Sequence, residues 1–345
     1  MPEYTLHHGD CMDVMRTFER GTVDLIVADP PYFKVKGAWW DNQWNDADAY
    51  FVWLGAVFDE FARILAPNGS AYVFADTRRS ARVETMMAER LCVINNIRWA
   101  KPKYATKAEM FDKDILRSYF PSSEAVLFCE HYGADNMAQG VAGYDRKCDE
   151  LRGFVFEPLR AYLDDERKRA GMSKPDVDIA WQLSRQSKGV MSPHWFSPSQ
   201  FNPPTSDNYA WLRETFNRNG DGEYLRREYE DLRREYEDLR REYEDLRRPF
   251  TWAEGQPYTD VWTYGTVSHY PGKHPCEKPQ DMLCDMIRTS SREGGTVFDP
   301  FTGSGATGQA AIECGREFVG AEIDEHWFKH AGTRIHMSMQ QESLF

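Results

Sequence analysis

Four consecutive residues, Asp29-Pro30-Pro31-Tyr32, place a carboxylate, a conformationally restricted carbonyl and an aromatic ring side by side. The exocyclic amine of adenine or cytosine is a poor nucleophile, because its lone pair is delocalised into the ring. A carboxylate and a carbonyl that each accept one amine hydrogen draw the nitrogen towards a tetrahedral geometry. The lone pair is then aimed at an incoming electrophile, which is electrostatic preorganisation. Tyr32 offers a face on which an unstacked base can rest. The same residues also fit a plainer description, a strand ended by a Pro-Pro turn with an exposed acid.

A second group carries a different chemistry. Gly303, Gly305 and Gly308 follow an apolar run at 296–299 and lead into a helical pattern. Glycines in such a turn let backbone approach a ligand and leave amides at a helix start to meet a carboxylate or phosphate. Glu322 ends the next strand-like run, about twenty residues after the first glycine, the spacing that sets an acid on ribose hydroxyls. These glycines match the dinucleotide fingerprint literally, so a nicotinamide or flavin enzyme has to be weighed. Position argues against it. Only about twenty residues follow Glu322, too few to finish such a sheet, so the missing strands must come from the amino-terminal half.

The elements that position these groups follow from pattern. Residues 23–28 form an apolar run of strand length, broken only by Asp24, and the prolines must end it. Before it comes a short strand at 4–8, then Gly9-Asp10 and a helix over 11–18; Asp10 either caps that helix or faces a ligand. A helix over 47–65 is stopped by Pro67-Asn68-Gly69. Strands at 70–75, 92–100 and 123–129, with a helix over 78–91, complete an alternating α/β half with a parallel sheet. The loop at 33–44 holds Trp39, Trp40 and Trp44, which either wall a flipped base or pack the loop onto the core.

From about 130 to 269 the pattern changes to helical and irregular pieces rich in aromatics. Residues 172–196 read as two short helices around Gln186-Ser187-Lys188-Gly189, a generic hairpin or a groove reader of the helix-turn-helix kind. Residues 225–248 repeat Leu-Arg-Arg-Glu-Tyr-Glu-Asp in tandem. Their leucines and tyrosines alternate in the four-three spacing of a coiled-coil seam. Such a helix pairs with a second subunit, lies against its own domain or acts as a spacer. A Tyr/Leu seam on a charged helix needs cover, so a homodimer through this helix is the expectation.

Net charge is −13, the wrong sign for a simple nucleic-acid binder, so any DNA contact has to be local. Two stretches qualify: 98–117, with Lys101, Lys103, Lys107 and Arg117, and 179–206, with Arg185, Lys188 and no acid. Both also read as ordinary solvated surface. The seven cysteines form no Cys-x-x-Cys pair, and His7 and His8 would point to opposite faces of a strand, so no metal is expected. No run is apolar enough to span a membrane, and the amino terminus lacks a secretory pattern; a reduced, cytoplasmic protein is expected.

Taken together, these motifs resemble the amino-methyltransferases of DNA that use S-adenosyl-methionine. The order (catalytic motif, target-reading region, cofactor loop) is similar to the β group of that family. The resemblance rests on His8-Gly9-Asp10, Asp29-Pro30-Pro31-Tyr32, Pro67-Asn68-Gly69-Ser70 and Glu124 leading a strand. It continues in Asp260-Val261-Trp262, His274-Pro275-Cys276-Glu277-Lys278-Pro279, the run from Phe298 to Gly305, and Glu322. It implies a Rossmann-like, circularly permuted α/β sheet in two halves, 1–138 and 269–345, with a mainly helical target-recognition region inserted at 139–268. By resemblance Asp29, Pro30, Pro31 and Tyr32 are catalytic, the first two holding the amine and Tyr32 stacking on the flipped base. The implied cofactor set is Asp10, Asp29, Lys278, Asp299, Phe301, Gly303, Ser304, Gly305, Thr307 and Glu322. Double-stranded DNA is the implied partner, contacted by Trp39, Trp40 and the basic residues above. Asp at the motif's first position favours adenine-N6 chemistry. A cytosine-N4 enzyme of the same fold, and a DNA-binding protein that has kept the fold without turnover, are the alternatives.

Overall fold

The computed structural model describes residues 2–101, 117, 119, 121–131, 151–253 and 255–342; Lys103 and Lys107 lie outside the described residues. The chain divides into two units, one of Met1–Tyr132 with Arg248–Phe345, the other of Gly133–Arg247. In chain order the first unit begins with β1 (Tyr4–His8), α1 (Cys11–Met15), β2 (Val23–Ala28), α2 (Ala47–Ile64), β3 (Leu65–Ala75), α3 (Ser80–Ala88), β4 (Cys92–Ala100) and β5 (Ser123–Glu130). The second unit holds α4 (Glu157–Arg169), α5 (Lys174–Arg185), α6 (Ser192–Phe196), α7 (Ser206–Asn219) and α8 (Tyr229–Leu246). The chain then returns to the first unit as β6 (Val261–Trp262), α9 (Gln280–Ser290), β7 (Thr296–Asp299), α10 (Ala306–Glu313), β8 (Glu317–Glu322) and α11 (Glu325–Glu342).

Among the described residues, one sheet of eight strands organises the first unit, in the order β1-β8-β7-β2-β3-β5-β4-β6. β2 lies at its centre and pairs in parallel with β7, Leu25 opposite Val297 and Ile26 opposite Phe298. Leu25 and Val27 pack into one core with Met286, Ala310 and Ala311, while Ile26 and Ala28 pack into the other with Leu54, Phe58 and Phe61. Burial on both faces explains why this strand reads as a continuous apolar run. Asp24 interrupts the run for a local reason: its Oδ2 accepts the amide of Thr296 at 2.8 Å, tying the start of β2 to the start of β7. From β2 the chain moves one way across the sheet to β3, and from β7 it moves the other way to β8. That reversal is where open α/β sheets bind ligands. The strand that opens the second βαβ run, β7, comes late in sequence, so the sheet is permuted as expected.

The sheet is mixed rather than parallel throughout. β5 runs antiparallel to both β3 and β4. α3 carries the chain over a gap of one strand, and β5 comes back to fill it. This reversal matters for the site, because it brings the first residues of β5, rather than its last, to the edge where the parallel strands end.

The second unit is built on its own core, with Trp195, Phe196, Phe201, Leu212 and Phe216 fully buried. α5 begins at a capping box in which Ser173 and Asp176 satisfy each other's amides. The heptad helix differs from expectation in extent and in cover. It spans Tyr229–Leu246 rather than 225–248. Leu225, first of the repeat's leucines, has φ +51° and is fully buried, with its amide on Glu166 Oε2 at 2.6 Å. A left-handed residue held in a core cannot begin a right-handed helix. The seam lies against its own unit: Tyr236 stacks on Phe156 with centroids 5.3 Å apart, and Tyr243 approaches the same ring at 5.6 Å. Leu232 and Tyr243 are buried in this core and Tyr229, Tyr236 and Leu239 are half-buried against it, while Leu246 stays exposed.

Candidate active site

β1, β2, β7 and β8 all end at one edge of the sheet, and a cleft with about 850 Å³ of empty space opens there. Gly9, Asp10, Asp29, Pro30, Pro31, Tyr32, Phe301, Gly303 and Glu322 line it, so residues nearly 300 positions apart meet because their strands are neighbours. Asp10 does both things its sequence allowed: it lines the cleft, and its Oδ1 accepts the Met12 amide at 2.7 Å, capping α1.

Asp29 is held from two sides. The Tyr32 hydroxyl donates to its Oδ1 at 2.8 Å, and the Lys278 ammonium donates to its Oδ2. Glu124 stands behind the pair, 3.3 Å from the Tyr32 hydroxyl and 3.7 Å from the Lys278 ammonium, and is itself paired with Lys101. Because β5 is antiparallel, its second residue reaches this edge. Burial pushes the Asp29 carboxyl above the usual range, and Glu124 adds to the rise; Lys278 opposes both. Burial would also raise Glu124, but Lys278 and Lys101 together hold it below its ordinary value. Burial works against charge on Lys278, yet Asp29 and Glu124 outweigh it and raise the ammonium's pKa. The Pro31 carbonyl accepts from the Tyr50 hydroxyl at 2.8 Å, which fixes the turn from the helix side.

The glycine turn divides into a cleft part and a packing part. Gly303 lies in the cleft wall at φ +51°, and its amide donates to Glu322 Oε2 at 2.7 Å while Asp324 donates to Oε1 at 2.8 Å. Gly305 and Gly308 face α11 instead. A Cβ on Gly305 would meet Ala331 at 2.8 Å, and one on Gly308 would meet Ile335 at 2.4 Å. The literal fingerprint therefore mixes one glycine in the cleft wall with two that let α10 and α11 close together. Asp299, Ser304 and Thr307 are buried and sit outside the cleft wall. Asp299 accepts the Phe301 amide at 2.9 Å, and Ser304 accepts from Arg334 at 3.4 Å. Lys278, expected at the cofactor, is committed to Asp29 and Glu124.

Of the expected DNA contacts, Lys101 has a side chain only 12% exposed and pairs with Glu124. Trp39 is half-exposed, with its indole N–H on Asp324 at 3.1 Å. Trp40 lines the cleft and stacks on His274 at 6.0 Å, against which Trp327 stands edge-on at 4.4 Å. Burial, then Lys278, Lys273 and His330, push His274 down to about 4, so it is neutral at physiological pH. Arg117 is exposed, and so are Arg185 and Lys188 of the second unit, Arg185 lying over the Trp181 ring at 5.1 Å. Sequence reasoning missed Asp41, Trp53 and Trp327 in the cleft wall. Spacing gave no sign of the tryptophans, and Asp41 looked like one more acid in a loop.

A family model for N6 and N4 methyltransferases, described as DNA methylase, matches residues 23–332. The chain belongs to this family. The methylase match runs across both halves of the sheet and the unit between them. Over 334 residues the chain is 22% identical to DNA adenine methyltransferase YhdJ of Escherichia coli (strain K12), covering 96% of this chain and 82% of the relative. A shorter stretch of 85 residues is 39% identical to type II methyltransferase M2.DpnII of Streptococcus pneumoniae, covering 24% of this chain and 32% of that one. Among solved structures, the cytosine-N4-specific PvuII DNA methyltransferase shares the fold, with a TM-score of 0.52, 12% identity, and coverage of 98% of this chain and 92% of that one. The methylase uses S-adenosyl-methionine as methyl donor. Its cleft fits that molecule: Glu322 lies at the end of β8, aromatic rings of Trp53, Phe301 and Trp327 form walls, and Asp41 Oδ1 is a buried acceptor without a partner among the described residues.

Proposed function

We propose that this methylase is an adenine-N6 enzyme of the β order, acting on adenine flipped from double-stranded DNA. The observation that carries the reading is Asp29, an acid rather than a serine at the head of its motif, set in the cleft wall with its carboxyl held by Tyr32 and Lys278. The adenine-specific name of the relative aligned over 96% of the chain supports the same base. Likeness to the cytosine-N4 enzyme concerns the fold and does not bear on the base.

S-adenosyl-methionine supplies a methyl group made electrophilic by the sulfonium. Asp29 and the Pro30 carbonyl accept the two hydrogens of the target amine and turn its lone pair towards that methyl. Tyr32 offers its face to the base. Lys278 opposes the rise that burial and Glu124 impose on Asp29, which favours its charged, accepting form. After transfer the amine is cationic and loses its proton readily, so no strong base and no covalent enzyme intermediate are needed. Asp10, Phe301, Gly303 and Glu322 are the residues assigned to the cofactor, Glu322 to its ribose. The unit 133–247 is assigned to target reading, with Arg185 and Lys188 as phosphate contacts, and the work is assigned to the cytoplasm.

The test is single-molecule sequencing of DNA from cells that express the chain or its Asp29→Ala form. N6-methyladenine at a short motif, absent with the variant, is the expected result. N4-methylcytosine in its place would overturn the base assignment, and an active variant would overturn the mechanism.

A further inference from the structure

The loop between Tyr32 and α2 is wound around one carboxyl group. Asp41 ends the short 3-10 turn Trp39–Asp41 and has no exposed surface. Its Oδ2 accepts the amides of Val35 at 2.7 Å and Lys36 at 2.5 Å, and its carbonyl accepts the amide of Lys34 at 2.8 Å. Its Oδ1 is buried and has no hydrogen-bond partner among the described residues. Buried acceptors of this kind are rare, because desolvation is uncompensated, and each calls for a reason. Asp41 also belongs to the cleft wall. Four acids, Asp10, Asp29, Asp41 and Glu322, line that wall against Lys36, and the ammonium behind Asp29 is already paired. Such a field favours a cationic guest with N–H donors.

We propose that Asp41 Oδ1 accepts a nitrogen-borne hydrogen from the molecule bound in the cleft, and that the donor is the α-ammonium of S-adenosyl-methionine. The other nitrogen donor that enters this cleft is the amine of the target base, which shares the chemistry. The inference rests on the cleft being the cofactor site. It makes Asp41 a cofactor-binding residue placed by the loop itself, so the loop's fold and cofactor capture depend on the two oxygens of one side chain.

The experiment is calorimetric titration of the full chain, without DNA, with S-adenosyl-methionine and with its decarboxylated and deaminated analogues. Asp41→Asn keeps one oxygen for the Val35 and Lys36 amides and turns the other position from acceptor to donor. It is expected to bind S-adenosyl-methionine at least about tenfold more weakly, with the melting temperature of the unliganded chain unchanged. The wild-type chain is expected to lose a similar factor for the deaminated analogue but not for the decarboxylated one, and the variant to lose that discrimination. If Asp41→Asn melts early, the analogue pair on the wild type decides. If cofactor affinity is unchanged but the KM for DNA rises or single-turnover methylation slows, the acceptor serves the target amine. If none of these quantities moves, Asp41 has no ligand role. A wild-type chain that binds no S-adenosyl-methionine defeats the reading of the cleft itself, a distinct failure.

Discussion

Two Asp-Pro turns end neighbouring parallel strands, and they put the same dipeptide to different uses. After β2, Asp29 lines the cleft and meets an ammonium and a phenol. After β7, Asp299 turns inward, where the Phe301 amide and the Thr307 hydroxyl bond its carboxyl. Burial pushes Asp299 up to about 7; those two neutral donors pull it down, and Asp29 and Glu322 add to the rise. The strand ends set both acids at the same edge. What separates them is the charge of the partner: Lys278 arrives for Asp29, whereas Asp299 receives neutral donors, the Phe301 amide of its own turn and the Thr307 hydroxyl of α10. An acid at a strand end becomes available for chemistry when a cation opposes the cost of burying its charge and one side is left open to the cleft.

The comparison is broken most severely at the first turn. Asp29→Asn is expected to lower single-turnover methylation by about 10²–10³-fold, the scale for removing one preorganised group. Asp299→Asn should leave that rate within a few-fold. Equal losses in the two variants would erase the distinction.

Lys278→Met sharpens it next. Asp29 loses the cation that opposes burial, so its pKa rises further and its charged form is confined to higher pH. The acidic limb of the kcat/KM profile is expected to move to higher pH. A limb that stays in place would disconnect Lys278 from Asp29.

Gly308→Ala tests the packing half of the second turn. The added methyl would meet Ile335 and Phe318, so denaturant unfolding should show a loss of about 1–3 kcal/mol. S-adenosyl-methionine affinity of the folded fraction should hold, because Gly308 lies outside the cleft wall.

The smallest effect is a slope. Burial pushes Asp299 up to about 7 in the folded chain, against an ordinary 3.8 when unfolded, so between these the folded state binds more protons. Its contribution therefore favours folding at the acid end of this window and is lost as pH rises towards 7. Asp299→Asn should remove that downward trend, read as the difference between wild-type and variant stability across the window. A difference that rises with pH would mean that Asp299 is held charged in the folded chain.

Much of this site was legible before any fold was known. The central strand, the Pro-Pro stop, the late glycine turn and the acid after it all follow from a continuous apolar run of strand length and from the backbone limits of proline and glycine. These constraints act within a few residues, so the chain carries them locally. The permuted order followed too, because a nucleoside-binding strand placed so late needs partners from the amino-terminal half. Other features stayed hidden. Nothing near Glu124 announces that β5 runs antiparallel, and only that reversal carries Glu124 to Lys278 and Tyr32. The heptads of α8 looked like an interface because their spacing is that of a coiled coil. Their cover came from Phe156, more than seventy residues upstream.

By itself, then, the sequence determined which residues could hold an amine, which turn could approach a cofactor, and in what order the two halves had to be joined. The tertiary structure alone decided which acid keeps a cation, which glycines face a ligand rather than a helix, and which basic side chains are already committed. The physical reason is range. Steric and hydrogen-bond limits on the backbone act between neighbours in the chain, whereas charge and packing act between neighbours in space. Only the strand order states who those are.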